Sequence, residues 1–178
     1  MADCLTGIIL AGGKSSRMGM DKALLEYNGI PQIFYLANLI KPHCNKILIS
    51  RNKKQAEIPD NLYEIIFDDE SAENQGPLTG LISAIEKYPK DNFLVMYCDL
   101  VNIENLIEIL LNERDDDKFA SCFSINNFPE PSLVIIENKA NKILLEKYKA
   151  GKYSIIKFLK DFECKHIPLY QPIIDKDE

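Results

Sequence analysis

The residues best equipped for chemistry fall in one short segment, Leu10-Ala11-Gly12-Gly13-Lys14-Ser15-Ser16-Arg17-Met18-Gly19-Met20-Asp21-Lys22. Paired glycines directly after an apolar run let backbone N–H groups approach an anion without interference from a Cβ atom. Ser15 and Ser16 add hydroxyl donors, Arg17 a planar fork matched to phosphate oxygens, and Lys22 a mobile point charge. Such a loop can hold a triphosphate. Two common phosphate loops do not match it: the Walker pattern Gly-x-x-x-x-Gly-Lys-Ser/Thr and the dinucleotide pattern Gly-x-Gly-x-x-Gly are both absent. The bland alternative is a strand–loop–helix connection with solvated cations. Arg and Lys together in one short loop after a strand favour phosphate.

Two further constellations carry chemistry. Asp99 follows the continuous apolar run Phe93–Cys98. A carboxylate leaving a buried central strand is a rigidly held hard-oxygen ligand, suited to Mg²⁺ bridging triphosphate oxygens. In isolation, a strand-end aspartate more often caps the next helix. The other is Gly76-Pro77-Leu78-Thr79-Gly80, preceded by Asp68-Asp69. Here Gly76 permits a close turn, Pro77 starts a helix, and Gly80 lets backbone or base approach.

These residues need a scaffold, and the hydrophobic periodicity supplies one. Strands are predicted over Leu5–Leu10, Lys46–Ser50, Tyr63–Phe67, Phe93–Cys98, Phe119–Ile125, Ser132–Glu137 and Cys164–Leu169. Helices are predicted over Pro31–Ile40, Pro77–Tyr88, Glu104–Glu113, Lys139–Ala150 and Tyr153–Asp161. This alternation implies a three-layer α/β sandwich with a mostly parallel central sheet, Leu5–Leu10 and Phe93–Cys98 lying near its centre. Ligands of open parallel sheets gather outside the carboxyl ends of the strands, so the loops after Leu10, Phe67 and Cys98 are where chemistry is expected.

The 178 residues fit one domain, 1–178. The five cysteines, Cys4, Cys44, Cys98, Cys122 and Cys164, are scattered without a Cys-x-x-Cys pair. They read as free thiols of a reducing cytoplasm rather than zinc ligands, and Cys4, Cys98 and Cys122 as small buried hydrophobes in or beside strands. No basic-then-apolar leader opens the chain, and no apolar run is long enough to span a bilayer. The net charge of −6 speaks against a general affinity for nucleic acid. Asp175–Glu178 reads as a mobile charged tail.

The Leu10–Lys22 segment resembles the Leu-Ala-Gly-Gly-x-Ser-x-Arg-Met-Gly-x-x-Lys signature of small NTP transferases, most closely the molybdenum cofactor guanylyltransferase family. Asp21-Lys22-Ala23-Leu24 and Asn28-Gly29 extend the match. Gly76–Gly80 resembles the family's Gly-Pro-Leu-x-Gly, and Cys98-Asp99 its Cys-Asp-x-Pro. The resemblance implies a Rossmann-like nucleotide-diphospho-sugar transferase fold, with a nucleotide half of about 1–100 and an acceptor half of about 101–170. It also implies nucleotide contacts by Leu10, Ala11, Gly12, Gly13, Ser15, Arg17, Lys22, Asn52, Gly76, Pro77 and Leu78, and by Asp69 or its neighbour Asp68. Asp99 becomes the Mg²⁺ ligand, with Arg17, Lys22 and Asp99 catalytic. GTP is the implied donor and molybdopterin the implied phosphate-bearing acceptor. A CTP-using relative, a sugar- or alcohol-phosphate transferase, and a nucleotide-binding regulator without activity stay open. The oligomeric state stays open as well.

The match thins in the acceptor half. Leu100-Val101 replaces the x-Pro after the aspartate, and Pro129-Glu130-Pro131 stands where the family has a Pro-Leu strand entry. Tyr153–Leu159 resembles Ser-Leu-Arg-x-Phe-Leu, with Ile156 in the arginine's place and Lys157 beside it. The family's terminal Asn-x-Asn-Thr-Pro is missing.

Overall fold

The computed structural model of the chain describes residues 5–12, 22–27, 29–53, 55, 58, 63–68 and 76–169, with the side chains of Lys22 and Tyr27 excepted. Cys4, Gly13, Ser15, Arg17, Asp69 and the tail 175–178, all singled out above, lie outside the described residues.

Seven strands form one sheet: β1 (Leu5–Leu10), β4 (Cys44–Arg51), β5 (Glu64–Phe67), β6 (Asn92–Tyr97), β7 (Ala120–Ile125), β8 (Phe128–Ile136) and β9 (Cys164–Leu169), in the order β5-β4-β1-β6-β8-β7-β9. β2 (Glu26–Tyr27) and β3 (Ile30–Pro31) make a separate two-stranded ribbon. β1 pairs parallel with β4 and β6, and β4 parallel with β5. β8 is the exception, antiparallel to both β6 and β7. The expected mostly parallel sheet is observed, with β6 at its middle.

Among the described residues, five α-helices cover the sheet: α1 (Gln32–Ile40), α2 (Leu78–Lys87), α3 (Glu104–Asn112), α4 (Asn138–Lys149) and α5 (Ile155–Asp161). The alternation of side chains along β1 and β6 divides the core in two. Leu5 and Ile9 of β1, with Leu94 and Met96 of β6, pack against Ile33, Leu36 and Ile40 of α1 and Ile107 and Leu110 of α3. Ile8, Leu10, Phe93 and Val95 face the other way, onto Leu81 and Ile85 of α2, Leu144 of α4 and Phe158 of α5. Strands buried on both faces must be mostly apolar, which is why β1, apart from Thr6, and β6, after Asn92, read as hydrophobic runs. The result is the three-layer sandwich.

The largest departure from the sequence reading is β8, which begins at Phe128 rather than near Ser132. Asn126 and Asn127 both take positive φ, 51° and 65°, and close a tight hairpin with β7. Asparagine tolerates that conformation better than other non-glycine residues. Pro129 and Pro131 argue against a central strand, yet β8 accommodates them because its ladder to β6 starts only at Leu133. The prolines fall where β8 has β7 alone as a partner and where that pairing slips, between Cys122 and Phe123.

Asp115, Asp116 and Asp117, a polar turn before β7, are the group of acidic side chains gathered within 4.8 Å among the described residues. They lie at the amino end of β7, opposite the loops expected to do chemistry. Asp115 Oδ1 accepts a bond from the Asp117 N–H at 3.1 Å, as an aspartate does within a turn. Cys44, Cys98, Cys122 and Cys164 form no disulfide with one another. Burial pushes the Cys122 thiol up to about 12 and the Cys164 thiol to about 11, keeping both protonated.

Candidate nucleotide site

Parallel pairing brings four strand ends to one rim of the sheet. β1 ends at Leu10, β4 at Arg51, β5 at Phe67 and β6 at Tyr97. Short backbone bonds hold the rim together beyond the strands: Ala11 N–H to Ser50 O at 3.0 Å, Asp68 N–H to Arg51 O at 3.0 Å, and Cys98 N–H to Leu10 O at 3.3 Å. Gln55 adds a clamp, donating from Nε2 to Ala11 O at 2.9 Å while its Oε1 accepts from the Asn52 N–H at 2.8 Å. Leu10, Ala11, Gly12, Asn52 and Asp99 therefore share one rim.

One close approach on this rim is at Gly12. A Cβ at this position would stand 2.3 Å from Asp68 Oδ2, so only glycine lets the carboxylate close on the loop. The other oxygen of Asp68 is held by Ser50, whose hydroxyl donates to Oδ1 at 2.6 Å. Ser50 is itself buried beneath α2, and a Cβ on Gly80 would lie 2.1 Å from its Oγ. Gly80 thus makes room for Ser50. Gly76, with φ of 84°, and Pro77 are exposed ahead of α2, whose first residue Leu78 is buried. Ser50 was not foreseen as a site residue. The available signal was a hydroxyl closing the apolar run Ile47-Leu48-Ile49.

Burial raises the pKa of Asp68 above its ordinary value, and the Ser50 hydrogen bond opposes that shift without cancelling it. A carboxyl whose folded pKa is raised binds more protons folded than unfolded. Stability then falls as pH rises from the ordinary aspartate range through the raised value. Asp68→Asn removes this penalty, so the variant should melt higher than the parent at neutral pH. The gap should close at acid pH, where both forms are uncharged. Thermal melts across pH check this, and an unchanged or lower melting point at neutral pH would count against it.

At the end of β6, Asp99 is exposed and enters no hydrogen bond or ion pair with a described residue. The Tyr97 hydroxyl is pushed well above its usual range, first by burial and then by the carboxylates of Glu130 and Asp99. Lys22 opens a short 3₁₀ turn, Lys22–Leu24. No helix among the described residues is long and apolar enough to cross a membrane.

Residues 7–163 match the MobA-like NTP transferase domain family. The chain belongs to this family. It is 31% identical over 155 residues to the molybdenum cofactor guanylyltransferase of Shewanella putrefaciens, covering 85% of this chain and 79% of that one. It is also 31% identical over 168 residues to the molybdenum cofactor biosynthesis bifunctional protein of Synechocystis, covering 92% of this chain but 48% of that protein, so it spans about half of this longer relative. The crystal structure of molybdopterin-guanine dinucleotide biosynthesis protein A from Archaeoglobus fulgidus has the same fold, with a TM-score of 0.71 at 22% identity over 92% of this chain and 83% of that one. The chain is a nucleotidyltransferase of the molybdenum cofactor guanylyltransferase type.

Proposed function

We propose that this nucleotidyltransferase moves GMP from GTP to a molybdopterin-type acceptor in the cytoplasm, releasing pyrophosphate, with Mg²⁺ held at Asp99. The observation that carries the reading is the convergence of Gly12, Asp68 and Asp99 on the carboxyl rim of β1, β5 and β6, where the glycine-rich loop leaves the sheet. Asn52, Gly76, Pro77 and Leu78 flank the same rim, in keeping with nucleotide contacts. Of the two acidic candidates, Asp68 lies against the loop, whereas Asp69 lies outside the described residues.

The corner at Asp99 suits a hard divalent cation: its carboxylate is exposed just beyond a strand buried on both faces. Mg²⁺ bound there would neutralise triphosphate charge. The protein's own contribution is placement. The loop amides and Arg17 orient the phosphates, and Lys22 meets the charge that develops on the departing pyrophosphate. An acceptor phosphate then attacks the α-phosphorus in line, without a covalent enzyme intermediate.

A phosphate-bearing acceptor finds support on the other side of Leu78. A pocket of about 230 Å³ opens there, lined by Leu78, Leu144 and Phe158 and by Lys147, Lys152 and Lys157. Three cations beside apolar side chains favour a flat anion. Lys157 thus stands beside the vacant arginine position, Ile156, as part of a group rather than alone.

Melting curves with GTP, CTP, ATP and UTP in Mg²⁺ test the donor, because a ligand bound only by the folded state raises apparent stability. GTP should give the largest shift, and pyrophosphate should appear only when molybdopterin is added. A larger shift with CTP would move the reading to a cytidylyl transferase. GTP binding without pyrophosphate release would favour a regulator.

A further inference from the structure

We infer that Gln32 is a positioning residue for nucleotidyl transfer, fastening the loop that carries Asp99 to the chain that follows Lys22. The inference rests on the function proposed above. Gln32 is the first residue of α1 and is 1% exposed. Its backbone N–H donates to Leu25 O at 2.9 Å, directly after the Lys22–Leu24 turn. Its side-chain Nε2 donates to Leu100 O, directly after Asp99. One residue therefore touches the exits of both segments.

Chemistry fixes the orientation of this amide. A carbonyl only accepts, so the nitrogen must face Leu100. Oε1 is then buried with no hydrogen-bond partner among the described residues. Gln32 shares the core face of α1 with Ile33, Leu36, Ala37 and Ile40. An apolar residue is the ordinary occupant of such a position. A buried amide that leaves one of its groups unsatisfied breaks that packing rule, as positions serving a site commonly do.

The loop explains what the amide does. Leu100 and Ile103 are fully buried, and Asn102 between them is left-handed with φ of 53°. The peptide unit joining Leu100 to Val101 is the second planar unit beyond Asp99, one residue removed from it. A bond to its carbonyl fixes its plane and so limits how far the Asp99 backbone can swing. A proline at 101 would restrict the same unit covalently, through its own φ and through the residue before it. Val101 imposes neither restriction, and its N–H makes no backbone bond among the described residues. Gln32 supplies the restraint by a long-range bond instead.

Gln32→Met keeps length and volume, removes the side-chain donor, and retains the backbone bond to Leu25. GTP affinity of the full chain would be measured by calorimetry in EDTA and at rising Mg²⁺, with a melting curve for each variant. Gln32→Met should leave affinity in EDTA unchanged and raise the Mg²⁺ needed for half-maximal tightening about 10- to 100-fold, as loss of an outer support of a metal ligand does. Adding Val101→Pro should restore the Mg²⁺ requirement. An unaltered requirement in Gln32→Met, where Asp99→Asn abolishes the Mg²⁺ effect, overturns the inference. If Asp99→Asn also leaves the effect intact, the metal assignment is what fails, and the inference goes with it. Should Gln32→Met not fold, Gln32→Asn draws the donor back by one methylene. A raised requirement then supports the inference, and a normal one overturns it.

Discussion

Asp99→Asn should cut nucleotidyl transfer by roughly a thousandfold, about 4 kcal/mol in the barrier, while the protein stays folded. Asparagine keeps the shape of the side chain and discards the charge that would hold a divalent cation. Nothing else about Asp99 should be lost. The residue is exposed and bonded to no described side chain, and substitutions of that kind shift stability by about half a kcal/mol or less. Rate at saturating Mg²⁺, with a melting curve alongside, makes the check. Turnover near the parent's would show that the carboxylate merely ends the strand. A large loss of melting temperature would show that it holds the turn into α3. Partial rescue by Mn²⁺, which tolerates nitrogen and neutral oxygen donors better than Mg²⁺, would strengthen the assignment.

How much of this site could be read from residues alone depends on the range of the interactions involved. β1 and β6 were legible because burial on both faces demands mostly apolar residues, and that demand is local. The glycine-rich loop was legible as a phosphate candidate because its chemistry is contiguous. Ser50, Gln55 and Gln32 were not, because their significance comes from partners 18, 44 and 68 residues away. No local pattern marks a buried serine that holds a carboxylate against a glycine. Of the two readings of Gly80, close approach of the chain or of a base, Ser50 of β4 makes the first. The start of β8 was hidden by two prolines that a strand tolerates only where it lacks a second neighbour, a fact of sheet order that the sequence does not display.

Lys22→Ala should lower the catalytic rate by about a hundredfold or more, near 3 kcal/mol, and weaken nucleotide binding much less. Arg17→Ala should weaken both. The difference follows from where each charge is used. A guanidinium forks onto phosphate oxygens that carry charge before and after transfer, so Arg17 acts on the bound ground state as well as the transition state. A lysine on a mobile stem is a point charge best spent on the pyrophosphate as it departs, an interaction that grows only as the bond breaks. Lys22 begins the 3₁₀ turn that leads to Leu25, whose carbonyl is tied to the start of α1, so its backbone is anchored. Rate and nucleotide affinity measured separately for the two variants sort the cases, since a fall in rate at unchanged affinity marks a contact made only in the transition state. If the cations of this loop are simply solvated, neither substitution should move either quantity by more than about half a kcal/mol. Near-parent values in both variants would remove the phosphate role of the loop, and with it the reason to place GTP on this rim of the sheet.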